Sequence, residues 1–165
     1  MAPIEYIPIM RTYYQSQGLG DYPLYYPSDD PWTPLAKPLA ECRLALICSA
    51  GLSRRDQQPF RRHGHDDFSV REIPRDTPPE QLIINYDYFD HRDADRDPNC
   101  LFPLGPLAEL EAEGFIGGLC PTAYALGIGR WRDPATPERL QTEVAAKLLE
   151  RCRAEGADAV LLVPG

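Results

Sequence analysis

Three short apolar runs punctuate an otherwise polar chain. Residues 42–49, CRLALICS, are almost continuously apolar and lie between Glu41 and Ala50-Gly51. A run of that kind predicts a strand buried on both faces, as in a parallel sheet. Residues 82–86, LIINY, predict a second core strand, and residues 158–163, DAVLLV, a third. Residues 69–73 read as a short edge strand ended by Pro74. Helical spacing appears twice. Residues 104–113, LGPLAELEAE, predict a short helix with Pro106 near its start and Gly114 as its stop. Residues 137–153 predict a longer one, with Thr136 as cap and Pro137 in the first turn. There Leu140, Val144, Leu148 and Cys152 form one apolar stripe, and Gly156 closes the helix. Strand, polar loop, helix, strand is the grammar of an α/β fold. The fold predicted for residues 41–165 is an open, mostly parallel sheet with helices packed on it, a flavodoxin/Rossmann-like half.

Residues 1–40 have a different texture. Tyr6, Tyr13, Tyr14, Tyr22, Tyr25, Tyr26 and Trp32 alternate with prolines at 3, 8, 23, 27, 31, 34 and 38. Prolines at that density are expected to exclude a helix and to break a central strand. The segment reads as a Pro/Tyr-rich arm that wraps a surface, its own or a partner's.

Composition narrows the function classes. The 165 residues carry 17 Lys+Arg against 25 Asp+Glu, a net charge of −8, with no basic stripe. That argues against a nucleic-acid partner. No run approaches the length of a membrane helix, and MAPIEYIPIM shows no secretory signal pattern. The five cysteines, Cys42, Cys48, Cys100, Cys120 and Cys152, are odd in number and contain no CxxC pair. A cytoplasmic protein with reduced thiols is expected.

Two polar stretches hold the candidate chemistry. The loop after the first strand contains Arg54, Arg55, Asp56 and Gln57, where a guanidinium can take a carboxylate in a bidentate grip; the alternative is a solvated loop. It contains neither GxGxxG nor GxxxxGK[ST]. Residues 87–97, DYFDHRDADRD, hold five Asp, His91 and two Arg. His91 with Asp90 can act as an acid/base pair or as metal ligands, or the run can be a salt-bridged capping loop; the glycine and terminal Glu of a calcium loop are absent. His63 and His65 form an HxH in a polar stretch.

Six segments resemble one family. They are PWTPLAKPLAECRLALICSAG (31–51), RDQQPF (55–60), REIPRDTP (71–78), YDYFDHRDADRDPN (86–99), FPLGPLAELEAEGFIGGLCPTAYALG (102–127) and GADAVLLVP (156–164). In order and spacing they resemble the selenoprotein B family. This family comprises the substrate-specific subunits of glycine, sarcosine and betaine reductases with their D-proline reductase relatives, and the match is to its stand-alone members. The resemblance implies an oxidoreductase that reductively cleaves a C–N or similar bond of a small amino-acid-like substrate. A selenolate attacks, a neighbouring cysteine resolves the adduct, and a thioredoxin-type dithiol supplies electrons. It also implies a redox motif of selenocysteine or cysteine, two residues, then cysteine, directly after the segment ending at Pro164-Gly165. The expectation is therefore an N-terminal half whose next codon is UGA. On this reading no cofactor sits in these residues, and selenocysteine belongs to the full-length protein. Arg54, Arg55, Asp56, Gln57, Tyr88, Asp90 and His91 line the substrate side, and a partner subunit or a second copy completes the enzyme. Cys120 stands where relatives are expected to carry a small residue and inherits no role. Two alternatives remain: a non-catalytic binding or assembly half-domain, and a metal-binding protein using His91 and the nearby Asp residues.

Overall fold

Strand β1, Arg43–Cys48, is buried over five of its six residues. Its side chains alternate between two apolar clusters, so both faces need cover. The computed structural model that shows this describes residues 4–18, 20–21, 33–61, 67–85, 89–127 and 136–164. The chain divides into two units, Met1–Thr33 and Pro34–Gly165.

In the first unit, helix α1 spans Tyr6–Ser16. It corrects the expectation that prolines exclude a helix here. Pro8 falls in the first turn, where a backbone N–H has no intrahelical partner to lose. Its carbonyl accepts from Thr12 Oγ1 at 3.0 Å. Tyr22, Tyr25, Tyr26 and Trp32 lie outside the described residues.

In the second unit, β1 is followed by β2 (Leu52–Arg54), β3 (Asp67–Pro74) and β4 (Leu82–Ile84). Helices α2 (Arg92–Arg96) and α3 (Leu104–Ala112) come next, then β5 (Gly118–Leu119) and β6 (Thr122–Gly127). A continuous helix then runs as α4 (Thr136–Arg139), a wider π-helical segment (Leu140–Ala145) and α5 (Ala146–Ala154), before β7 (Ala159–Val163). The main sheet has β7 and β6 parallel to β1 on its two sides, β5 beside the start of β1, and β3 antiparallel on the outer side of β6. The fold is thus α/β with a mostly parallel sheet, as read from the apolar runs.

Leu44, Leu46 and Cys48 point into a layer made by α2, α3 and the β2–β4 ribbon, among them Leu52, Ile84, Ala94, Phe102 and Leu107. Ala45 and Ile47 face the other way, against Tyr124, Val144, Leu148 and Cys152. The stripe read from the sequence, Val144-Leu148-Cys152, is therefore the one that covers the sheet, with Leu140 packed beside it. Thr136 opens that helix and is fully buried.

Two elements differ from expectation. Residues 82–86 do not join the main sheet: β4 pairs antiparallel with β2 in a separate two-stranded ribbon. Leu82 and Ile84 are buried while Ile83 is only half so, which is the pattern of a strand lying on a sheet with one face inward. Conversely, TAYALG forms β6, a central strand buried over five of six residues. Its small residues carry weak strand signals, yet they suit the tight packing there. Cys120 sits in the break between β5 and β6, its N–H donating to Leu44 O at 2.7 Å. Pro121, which lacks an N–H, makes that break.

The β3 edge is covered by the chain itself. Arg71 Nε donates to Gln58 O at 2.7 Å, Gln57 Nε2 donates to Glu72 O at 2.8 Å, and Phe60 is buried. A Cβ at Gly127 would stand inside the Phe60 ring, so the close approach of this covering loop to β6 requires glycine. Gly127→Ala is expected to cost about 1–3 kcal/mol. Phe60→Leu should cost less in that variant than in the wild type, as read by denaturant unfolding; strictly additive losses would contradict the contact.

Candidate functional site

In open α/β sheets, ligands sit at the carboxyl ends of parallel strands, where the strand order reverses. Here the chain goes from β1 to β6 on one side and then to β7 on the other, so the reversal falls at the carboxyl end of β1. The residues there are Ser49, Ala50 and Gly51. Ser49 N–H donates to Val163 O at 3.1 Å, and Gly51 N–H donates to Leu126 O at 2.9 Å. The segment is strapped across the ends of both flanking strands. Gly51 holds φ +64°, a left-handed conformation that favours glycine.

Asn85 N–H donates to Gly51 O at 3.0 Å, which brings the end of β4 to the same rim. The Asn85 side chain donates to Ser53 Oγ at 2.8 Å, and both residues are buried. Losing one partner would leave the other unsatisfied, at about 1–3 kcal/mol. Asn85 lies within the strand predicted over 82–86, and the one sequence signal for the pair is a polar amide inside an apolar run.

After Asn85 the sequence continues through Tyr88, outside the described residues, to Asp90 and His91. Asp90 is paired with Arg92, whose guanidinium Nε donates at 2.8 Å and holds the carboxyl below its usual range. His91 Nδ1 lies 2.8 Å from Asp95 Oδ2, and the ring packs edge-on against Phe89 with centroids 5.7 Å apart. Among the described residues, no group of three or more His, Cys, Asp or Glu could hold a metal ion. His63 and His65 lie outside them.

Arg54, Arg55, Asp56 and Gln57 form a turn at the far end of β2, because β2 carries the chain away from Gly51. Gln57 Oε1 accepts from Arg54 N–H at 3.0 Å, Arg55 Nε donates to Glu80 O at 2.9 Å, and Arg54 is ion-paired with Asp56. Arg54 Nε is buried without a hydrogen-bond partner among the described residues. No hydrogen bond or ion pair among the described residues joins this turn to Asp90 or His91.

A groove of about 250 Å³ lies between β3 and the long helix, lined in part by Phe68, Glu72, Glu143, Lys147 and Arg151. In it Arg151 pairs with Glu72, and Glu143 pairs with Arg139 one turn earlier on the helix.

The five cysteines are all free thiols. Cys48 and Cys120 are buried, and desolvation pushes each up to about 11. At pH 8 only about a thousandth of either would be thiolate. Cys100 is exposed. In the folded protein at pH 8, iodoacetamide should label Cys100 first, and Cys48 and Cys120 more than about a hundredfold slower. The same shifts give a pH dependence. Well below pH 9 these thiols are neutral whether folded or not; as pH rises through about 9 towards 11 the unfolded chain ionises ahead of the folded one, so stability falls across that window. Labelling of Cys48 as fast as Cys100 would contradict the burial.

Comparison with known proteins found no matching family model and no matching solved structure. Among curated proteins the chain is similar to D-proline reductase subunit gamma of Acetoanaerobium sticklandii, with 33% identity over 144 residues. The match covers 86% of this chain and 57% of that subunit, so the chain spans little more than half of its relative's length. Among the described residues no helix is long and apolar enough to cross a membrane. The chain is thus related to a subunit of a reductase and carries an α/β fold with a mostly parallel sheet.

Proposed function

We propose that the chain is part of a reductase subunit of the D-proline reductase and selenoprotein B type, in an enzyme that cleaves a C–N or similar bond of a small amino-acid-like substrate. The observation that carries this reading is the 33% identity over 144 residues with D-proline reductase subunit gamma. For D-proline the reaction would break the Cα–N bond and add two hydrogens to give 5-aminopentanoate, while a dithiol loses two hydrogens and becomes a disulfide. Glycine, sarcosine and betaine are the other substrates of this class. The donor would be a thioredoxin-type dithiol, and a partner subunit or second copy would complete the enzyme.

A reductase of this kind needs an acidic chalcogen with a resolving thiol near it. Cys48 and Cys120, buried and held neutral, do not fit that role. On this reading the electron-carrying pair, a selenocysteine or cysteine, two residues, then cysteine, is supplied by another part of the enzyme. When present it would supply the nucleophile for bond cleavage.

The residues of this chain would bind and orient. The buried Arg54 Nε–H, without a partner among the described residues, suits a substrate carboxylate, with Arg55, Asp56 and Gln57 fixing the turn that presents it. Tyr88, Asp90 and His91 come after Asn85 in sequence, and His91, oriented by Asp95, would hold or move the proton that the leaving nitrogen takes.

The test is dithiol-dependent turnover of D-proline, glycine, sarcosine and betaine. It compares the 165-residue chain with the polypeptide extended through its downstream reading frame, cysteine replacing any UGA-encoded residue. Turnover is expected only in the longer polypeptide, and Arg54→Met there should raise KM more than tenfold. Equal turnover by the 165-residue chain, or none by either, would overturn the reading.

A further inference from the structure

The two edges of the main sheet are built differently. At the β3 edge, a loop of the chain covers the strand and polar side chains bond along it. At the other edge, β7 pairs with β1 through all five residues, and among the described residues no strand pairs with its outer side. Its sequence, AVLLV, holds no charge, proline or bulge to protect that edge.

Cross-strand neighbours share a face of a sheet. Val160 and Leu162 oppose Ala45 and Ile47 and so stand on the long-helix side, while Leu161 opposes Leu46 and stands on the other. The β1 partners are at most 9% exposed, whereas Val160 is 43%, Leu161 36% and Leu162 69% exposed. On α5, Lys147 and Arg151 line the groove beside β3, and Leu148 and Cys152 face the sheet. One further step of about 100° round the helix puts Leu149, 49% exposed, on the β7 side. Leu149, Val160 and Leu162 therefore make one apolar strip beside a strand edge that is unpaired among the described residues. A parallel strand with this composition belongs inside a sheet, paired on both sides and covered on both faces.

We propose that β7 is an inner strand of a wider sheet. Its free edge takes a strand, and the Leu149–Val160–Leu162 strip takes the covering helix, of polypeptide equivalent to the part of D-proline reductase subunit gamma that this chain does not span. The choice of occupant rests on the family reading above: the relative is longer, and the chain matches only 57% of it. A second copy is the weaker occupant, since each copy carries a net charge of −8. The assembled sheet places whatever follows β7 at the same carboxyl rim as Ser49 and Gly51, because β7 runs parallel to β1.

Hydrogen exchange read by mass spectrometry on peptide 157–164 tests this. One sample is the protein in its native assembly, isolated from its source cells; the other is the 165-residue chain alone. The β7 amides are expected to exchange at least tenfold slower in the assembly, with cross-links from 157–164 to polypeptide resembling the unspanned part of the relative. Leu162→Lys should leave the melting temperature of the 165-residue chain unchanged and abolish the added protection. Equal exchange in both samples, cross-links only between copies of this chain, or a Leu162→Lys chain that melts several degrees lower would each overturn the proposal. The readout is independent of turnover: a protected β7 in an assembly that reduces no substrate leaves this interface standing and removes the reductase reading, and turnover with an open β7 edge does the reverse.

Discussion

Everything in the larger unit depends on β1 being apolar on both faces and paired on both sides. Its backbone bonds to β5 and β6 on one side and to β7 on the other, so the sheet is organised around it. Its side chains then demand two layers. The long helix supplies one through Val144, Leu148 and Cys152. The other is assembled from smaller pieces, the β2–β4 ribbon with α2 and α3, which deliver Leu52, Ile84, Phe102 and Leu107 to the opposite face. Burying a side chain of Leu or Ile size is worth about 1.5–3 kcal/mol, and β1 gathers such contacts from nearly every element of the unit.

The same pairing builds the candidate site. Because β6 and β7 both run parallel to β1, their carboxyl ends converge at Ser49–Gly51, and the backbone of that segment is spent tying them together. Asn85 brings β4 to the same rim through Gly51 O, and its bond to buried Ser53 stiffens the ribbon behind it. The rim is thus a rigid shelf of main chain, with the polar groups proposed to meet substrate on the segments that leave it. The chain's thiols, by contrast, are packing groups where they are buried.

Legibility in the sequence followed burial symmetry. CRLALICS and the Leu140–Cys152 stripe were readable because each carries a long, regular apolar pattern that one structure satisfies. LIINY was misplaced because three apolar residues can equally lie in a sheet or on one, and only the alternating burial of Leu82, Ile83 and Ile84 decides. TAYALG was not recognised as a strand because Ala and Gly signal little; their value is the close approach of Phe60 to Gly127, a tertiary fact. The α1 helix shows the same limit, since the position of Pro8 within the first turn mattered more than the number of prolines around it. Of the proposed site, the residue types were visible, but the sequence could not show that β2 carries Arg54 away from the rim that Asn85 reaches.

The central proposal is that residues 1–165 provide scaffold and substrate contacts while the electrons pass through other groups of the enzyme. Its most direct test replaces Cys42, Cys48, Cys100, Cys120 and Cys152 by alanine, one at a time, in the full-length enzyme, with dithiol-dependent turnover and melting temperature measured on each variant. Turnover within a few fold of wild type is predicted for every variant that stays folded. A variant that melts with the wild type yet loses turnover more than a hundredfold would place an electron-carrying thiol in this chain and contradict the account.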